Sequence, residues 1–221
     1  MRHFQGELDK LQRRLLEMGG LVESAIHLSV QSVAARDQEQ AQQVLRNEAR
    51  VNRMEIEIDE LATRLLALHQ PMAEDLRFLT AAIKINNDLE RMGDLAVNIV
   101  ERALALRPEP VVQPLIDIPR MAQLTQSMVR KSLDAFVRGD SELARSVLLS
   151  DDAVDELRDA IYQELAGFMQ KDPSTVSRAL DLIFVARNLE RIADHATNIA
   201  EDVLFLVQGV DVRHHAEARK Q

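Results

Sequence analysis

A near-copy of one helical segment recurs in the second half of the chain, and this internal repeat restricts the possible folds more than any other feature. Residues 88–101 read DLERMGDLAVNIVE and residues 188–201 read NLERIADHATNIAE, with eight of fourteen positions identical at an offset of 100. The preceding segments match less closely, at an offset of 103, which places Glu48 opposite Asp151. We therefore interpret the chain as two diverged copies of one unit.

Proline marks the boundaries of the predicted helices. The prolines cluster between Pro108 and Pro119, near the middle of the chain, and each half has one further proline, Pro71 or Pro173. Because proline lacks an amide hydrogen, it is tolerated in turns and at helix starts but not in helix interiors. The prediction is six helices, three in each half, at about 5–35, 38–69, 74–106, 117–138, 141–170 and 174–208.

Apolar periodicity predicts how these helices pack. In the third helix one face is apolar at three- and four-residue spacing, through Ile85, Leu89, Met92, Ala96, Ile99, Ala103 and Leu106. Aromatic residues make up only 3% of the chain, which is typical of a helical bundle. Because short connections make neighbouring helices antiparallel, we predict an all-α fold of two tandem antiparallel three-helix bundles. These bundles are residues 1–107 and 117–209, with a proline-rich linker at 108–116 and a polar tail at 210–221.

Composition narrows the classes of ligand and compartment. Because the chain has no cysteine, nothing in it argues for a thiolate nucleophile, a sulfur-ligated metal or an oxidising compartment, and a reducing compartment is the default. The net charge of −9, spread along the chain, disfavours nucleic acid as the main ligand. No stretch approaches the roughly 18 apolar residues of a membrane span. We expect a cytoplasmic protein that does not insert into a membrane.

The matched polar residues of the repeat fall on one stripe of each helix. Spacings of four, four and three residues align them over about three turns. A second polar row on the preceding helix of each half is placed to face the first. Oxygen ligands on adjacent helices suit magnesium, manganese or iron. The candidate metal ligands are Glu90, Asp94, Asn98, Glu101, Glu48, Asn52, Glu55 and Asp59 in the first half, and Glu190, Asp194, Asn198, Glu201, Asp151 and Asp155 in the second.

These rows also have a simpler interpretation, as ordinary solvated helix faces. Two features favour metal binding: the rows match between the halves, and asparagine, a poor helix former, stands at equivalent places as Asn98 and Asn198. His195 either reaches the same cation or is incidental. Arg91 and Arg191 are either phosphate-binding or supporting groups, or ordinary exposed arginines.

Motifs of common enzymes are missing from the sequence. It has no GxxxxGK[ST] phosphate loop, no Glu-x-x-His pair of a di-iron bundle and no nucleophile elbow. We therefore expect no enzymatic activity. Two alternatives stay open, a metal-dependent hydrolase or oxidase built on clustered carboxylates, and a helical scaffold that binds no metal.

Several stretches together resemble the PhoU family: the paired ERxxD segments, and MGGLVE at 18–23, HQPMAEDLR at 69–77 and DDAVDEL at 151–157. The resemblance implies two three-helix bundles whose Glu/Asp-xxx-Asp motifs bind iron, zinc, manganese or magnesium. On this chain the motif falls on Glu90 and Asp94, on Glu190 and Asp194, and on Asp151 and Asp155. A fourth copy would be Glu48 and Asn52, where the asparagine departs from the acidic pattern and weakens the first site unless Glu55 or Asp59 compensates.

The resemblance also implies a regulatory role. Members of the family restrain the high-affinity phosphate ABC transporter and its linked sensor histidine kinase when phosphate is plentiful. The expected partners are therefore the ATPase subunit of that transporter, the phosphate-sensing kinase and a second copy in a homodimer. The expected location is the cytoplasm, with peripheral association to the inner membrane through those partners.

Overall fold

The computed structural model describes residues 2–35, 37–106 and 117–209, and within these ranges it contains seven α-helices and no strand. The predicted all-α class is confirmed. The predicted linker at 108–116 and tail at 210–221 lie outside the described residues. The helices are α1 Arg2–Ala35, α2 Gln38–His69, α3 Ala73–Leu106, α4 Asp117–Arg138, α5 Ser141–Leu148, α6 Asp151–Lys171 and α7 Val176–Gln208.

Short polar caps set several of the helix starts. The Asp37 carboxylate accepts a hydrogen bond from the Glu39 amide at 2.8 Å, which begins α2. Asp140 accepts from the Leu143 amide at 2.9 Å and begins α5. These acceptors satisfy amide groups that have no partner within the helix. A 3₁₀ turn at Pro173–Thr175 precedes α7.

The prediction of one helix over residues 141–170 is wrong, because the chain breaks there into α5 and α6. The Ser150 amide donates to the Val147 carbonyl at 3.0 Å, and the Ser150 hydroxyl donates to the Ser146 carbonyl at 2.8 Å. These bonds tighten the turn and compete with the regular helical pattern. Helix α6 then restarts at Asp151, where an acidic side chain is favoured by the helix dipole.

Helices α1 to α3 form the first bundle and α4 to α7 the second, and the two are joined mainly along α3 and α7. The apolar face predicted for α3 is entirely buried. Because α3 and α7 carry the repeated segments, the two copies lie side by side. Helices α1 and α4 also meet across the bundles. Within the described ranges, no helix has the apolar length that crossing a membrane requires.

Ion pairs along this contact show that α3 and α7 run antiparallel. The Lys84 ammonium lies 2.8 Å from Asp202 at one end, and Arg102 lies 3.6 Å from Asp181 at the other. Arg102 also lies over the ring of Phe184, 5.2 Å from its centre. The repeat offset relates position 84 to 184 and 102 to 202. Equivalent places in the contact therefore hold a salt bridge in one copy and a cation–π pair in the other.

Candidate metal centre

The first acidic row forms between α2 and α3. The side chain of Glu90 is only 19% exposed, and Asp94 is half-buried one turn further along α3. Burial raises the pKa of Glu90, and the negative charge of Asp94 raises it further; Arg91 opposes this shift, and Glu55 on α2 adds a smaller increase. Carboxyl groups that lie close together resist ionisation, because each negative charge repels the next. A bound cation relieves this repulsion. The structure therefore brings together Glu90, Asp94 and Glu55.

Asn52 contributes a buried oxygen to the same row. Its amide nitrogen donates to Glu48 at 2.9 Å, while its Oδ1 atom is buried and has no hydrogen-bond partner among the described residues. A buried carbonyl oxygen normally has a donor. An acceptor left over beside acidic side chains fits a metal ligand. Although Asn52 departs from the acidic pattern, its side chain therefore still supplies an oxygen atom at this position.

Asn86 holds α2 against α3 beside this row. Its side-chain amide donates to the Glu55 carbonyl at 2.9 Å and to the Asp59 carboxylate at 3.0 Å. Asp59 is therefore oriented by α3, although it is exposed. Sequence patterns did not indicate Asn86, because a buried polar residue on an apolar helix face is visible only once its neighbour is known.

The second acidic row forms between the start of α6 and α7. Burial, together with the negative charges of Glu190, Asp151 and Asp155, raises the pKa of Asp194 to about 6. Part of the Asp194 side chain faces solvent, but its carboxyl loses enough hydration to titrate well above its ordinary range. The predicted ligands of α6 and α7 thus converge as the repeat indicates.

An arginine lies inside this second row. One terminal nitrogen of Arg158 is 2.8 Å from Asp155 and 2.9 Å from Glu190, so the guanidinium bridges α6 and α7. At the repeat offset of 103, Arg158 is the counterpart of Glu55. One row therefore carries an additional acid where the other carries a base. The sequence places Arg158 opposite Glu55, but the bridge to Glu190 depends on how the two helices pack.

Tyr162 makes a further difference between the rows. It is the counterpart of Asp59 at the same offset. Burial raises the pKa of the Tyr162 hydroxyl, and the charge of Glu190 raises it further. The second row thus has a neutral phenol and a cation where the first has two carboxylates. The two rows therefore differ in the side chains that face Glu90 and Glu190.

The remaining predicted ligands lie beyond these clusters. Asn98 and Glu101 are exposed, one and two turns further along α3 than Asp94. In α7, the Asn198 amide donates to the Asp88 carboxylate of α3 at 3.3 Å. Glu201 is half-buried near the end of the α7 repeat segment. Asn198 is thus directed to the contact between the bundles.

His195 also points into the contact between the bundles. Its Nδ1 atom lies 2.7 Å from the Asp88 carboxylate, with the two side chains only 18% and 11% exposed. The repeat places Leu95 opposite His195 and Asn188 opposite Asp88. Both positions of this pair differ between the copies, and this difference is the sequence feature that could have identified Asp88. The polar stripe of the repeat did not include it.

The two conspicuous arginines of the repeat are more exposed. Arg91 lies 3.6 Å from Glu90, with 58% of its side chain exposed. Arg191 is also exposed. Both follow a row glutamate directly in the sequence, so their side chains project from the flank of each row.

The donor chemistry of the first row fits a hard cation. In the described part of the chain, no three His, Asp or Glu side chains form a ready-made cation site. The fit depends instead on the unpartnered Asn52 oxygen and on the mutual repulsion of the carboxyls around Glu90. In the second row the same chemistry is present, but Arg158 already neutralises part of the charge.

Two helical bundles joined along their repeated helices, each with an acidic row, define a class of all-α tandem-repeat protein with candidate cation sites. Comparison with known proteins assigns the family. The PhoU domain model matches residues 15–103 and 118–203. The chain belongs to the PhoU family.

Full-length relatives and solved structures agree with this assignment. A Pseudomonas aeruginosa protein named phosphate-specific transport system accessory protein PhoU homolog is 42% identical over 212 residues, covering 96% of this chain and 88% of the relative. An Aquifex aeolicus protein of the same name is 39% identical, covering 94% of each chain. The crystal structure of PhoU from Pseudomonas aeruginosa matches with a TM-score of 0.91 and 41% identity, covering 94% of this chain and 100% of that one. The phosphate transport system regulatory protein PhoU from Streptococcus pneumoniae matches with a TM-score of 0.88 and 29% identity, covering 95% and 99%.

Proposed function

We propose that this chain is an accessory protein of phosphate transport that binds metal cations in two unequal acidic rows. In this role it acts as a non-enzymatic adaptor. It restrains the high-affinity phosphate ABC transporter and the linked sensor histidine kinase when phosphate is plentiful. The names of its relatives, which describe accessory and regulatory proteins of phosphate transport, support the general role.

The single observation that supports metal binding is the mutual repulsion within each row. Burial is the largest cause of the raised pKa values of Glu90 and Asp194, and neighbouring charges add to it: Asp94 and Glu55 for Glu90, and Glu190 for Asp194. Carboxylates at such spacing destabilise one another unless a positive charge lies between them. In the second row Arg158 supplies part of that charge. In the first row no arginine stands at the equivalent position, which favours a cation there.

The first row would hold the metal with Glu90, Asp94 and Glu55, and with the Asn52 oxygen beside Glu48. A bound cation would supply positive charge and link α2 to α3. Magnesium, manganese, iron and zinc all accept such oxygen ligands. The second row would use Glu190, Asp194, Asp151 and Asp155, after Arg158 gives up its bridging position.

The adaptor role agrees with the shape and charge of the described helices. They offer long, rigid faces to partner proteins, which suits protein contact. The proposed partners are the ATPase subunit of the phosphate transporter and the phosphate-sensing kinase, with the protein itself as a homodimer in the cytoplasm.

Metal content tests the proposed metal binding. The purified chain is equilibrated with magnesium, manganese, zinc or iron, and bound metal is measured by elemental analysis. We expect stoichiometric metal that falls when Glu90→Gln and Asp94→Asn are combined. The matched control combines Glu60→Gln with Glu164→Gln, which removes the same charge at exposed positions outside both rows. Equal metal content in all three proteins would overturn the metal proposal.

Co-purification tests the proposed adaptor role. The tagged chain is recovered from phosphate-replete cells with metal retained, and the transporter ATPase subunit and the kinase are measured in the bound fraction. We expect both partners. Recovery of neither would overturn the adaptor role, whatever the metal content.

A further inference from the structure

A groove opens where α1, α3, α4 and α7 meet, between the two bundles. Its volume is about 590 Å³, which is within the range of ligand-binding pockets. Phe78 of α3 and Phe136 of α4 line it and stack with their ring centres 5.6 Å apart. It lies at the end of the molecule where α3 begins and α7 ends. Neither acidic row contributes a residue to this groove.

Apolar side chains remain open to solvent in the groove. Val137 at the end of α4 is 38% exposed, and Val207 at the end of α7 is 42% exposed. Together with the half-buried Phe78, they make an apolar surface contributed by both bundles, and the buried Phe136 lies behind it. An apolar surface inside a groove is favourable for a partner side chain, because its burial removes both surfaces from water.

The rim of the same groove is acidic. Asp9 of α1 and Glu74 and Asp75 of α3 line it. The one basic residue in the lining, Arg77, donates from its Nε atom to the Leu206 carbonyl at 3.2 Å, so this group also caps the end of α7. None of the ion pairs found among the described residues involves a carboxylate of this rim. With three carboxylates against one arginine, the groove therefore combines exposed apolar side chains with a net negative charge.

This combination selects one class of occupant. Phosphate and other anions are repelled by the three rim carboxylates. A second copy of the chain has a net charge of −9, so it does not complement an acidic rim. A bare metal ion gains nothing from the valines and phenylalanines. A segment with large apolar residues flanked by lysine or arginine satisfies both features.

The geometry points to this groove as the docking site for a basic, amphipathic segment of a partner protein. Its apolar side chains enter beside Phe78, Val137 and Val207, and its basic side chains pair with Glu74 and Asp75 on the rim. This is the helix-in-groove mode of recognition. The inference rests on the proposed adaptor role for the existence of a partner, and it gives a function to the segment at 69–77, which the acidic rows leave without one.

A defined peptide tests the groove directly. The probe is a fluorescent amphipathic helix of leucine and lysine, of about 14 residues or roughly four turns, and the matched peptide has glutamate in place of lysine. Binding to the full chain is measured by anisotropy at low salt and at about 0.15 M salt. We expect the lysine peptide to bind, and the glutamate peptide not to bind.

Two matched variants locate the binding. Combining Glu74→Gln with Asp75→Asn removes two rim charges, and it is expected to lower the affinity of the chain for the lysine peptide by about tenfold at low salt. Combining Glu60→Gln with Glu164→Gln removes two exposed charges elsewhere and is expected to change its affinity by less than about twofold. Equal losses in the two variants, or no binding by the wild type, would overturn the inference.

Methyl NMR gives a second, independent readout. On peptide addition, the methyl signals of Val137 and Val207 should shift, while those of Val176, which is exposed at the start of α7, should not. Shifts confined to Val176, or self-association of the chain that the rim substitutions abolish, would overturn the inference.

Co-purification separates this inference from the adaptor role. If the wild type recovers the transporter ATPase and the kinase, the variant combining Glu74→Gln with Asp75→Asn should lose at least one of them. Full recovery by this variant would overturn the docking site and leave the adaptor role standing. Peptide binding in the groove without recovery of either protein would overturn the adaptor role alone.

Discussion

The His195 imidazole lies 2.7 Å from the Asp88 carboxylate, across the contact that joins the two bundles. The amide of Asn198 donates to the same carboxylate oxygen at 3.3 Å. At the equivalent place in the other copy, Leu95 and Asn188 stand instead. The polar cluster thus breaks the symmetry of the repeat at the contact between α3 and α7.

Removing the acceptor of this cluster should weaken the whole molecule. Asp88→Ala leaves the mostly buried His195 imidazole without its partner, and it removes the acceptor of the Asn198 amide. We expect the free energy of unfolding, measured with urea at neutral pH, to fall by about 1–3 kcal/mol. The matched control is Asn188→Ala, whose amide bonds to the Phe184 carbonyl within α7. That change should stay within about 0.5 kcal/mol.

A double-mutant cycle checks that the two side chains act together. His195→Leu reproduces the residue of the first copy. Combined with Asp88→Ala, it should show a coupling free energy of about 0.5–3 kcal/mol. Strict additivity would mean that the contact between Asp88 and His195 does not stabilise the fold.

The carboxyl of Asp194 makes stability depend on pH. Its pKa is raised from the ordinary 3.8 to about 6 in the folded protein. Between these values the folded state retains a proton that the unfolded state has lost, so stability falls as pH rises. Asp194→Asn removes this effect. In metal-free protein, the stability of the variant relative to wild type should therefore increase from about pH 4 to about pH 6 and stay level outside that window.

Urea titrations across this pH range, with a chelator present, measure the difference. Asp152→Asn is the matched control, because Asp152 is exposed on α6 and is not one of the carboxylates that raise the pKa of Asp194 most. The difference in stability between this control and the wild type should not change between about pH 4 and about pH 6. A flat difference for Asp194→Asn would contradict the raised pKa.

Arg158 should have opposite effects on folding and on metal affinity. Its guanidinium joins Asp155 to Glu190 at 2.8 and 2.9 Å. Arg158→Gln removes these charge-assisted bonds, so the metal-free protein should lose about 1.5–3 kcal/mol of stability. The same change removes a positive charge that competes with a cation. Metal affinity of the second row should therefore rise by about tenfold.

Calorimetric titration with manganese and urea unfolding of the metal-free protein measure the two effects. Arg191→Gln removes an exposed charge of α7, on the flank of the same row, and should leave both the stability and the metal affinity unchanged. Loss of stability together with loss of metal affinity would indicate that Arg158 supports the row instead of competing with a cation.

The helical repeat and its buried face were predictable from local pattern. An apolar stripe such as that from Ile85 to Leu106 depends only on helical geometry, and it is buried as predicted. The break at Leu149 and Ser150 was not predictable in the same way, because neither glycine nor proline marks it. It arises from hydrogen bonds of Ser150 that compete with the helix.

The acidic rows show where single-helix reasoning stops. Angular spacing aligned Glu90 with Glu101, but a rise of 1.5 Å per residue separates them by about 16 Å along the axis. One cation cannot contact both. The partners of Glu90 and Glu190 were set by the facing helices, which present Glu55 to one and Arg158 to the other. Such pairings depend on interhelical register, which one helix does not specify.

Adjacent glycines of α1 provide a test of the contact between α1 and α4. A Cβ atom on Gly19 would lie 2.6 Å from a methyl carbon of Leu133, whereas one on Gly20 would meet nothing within 4 Å. Gly20→Ala should therefore stabilise the protein by about 0.5–1 kcal/mol through helix propensity. Gly19→Ala has the same propensity gain but must displace the buried Leu133. Because overpacking costs about 1–3 kcal/mol, its net effect should be destabilising in urea unfolding, and equal stabilisation by both substitutions would show that the two helices are not packed this closely.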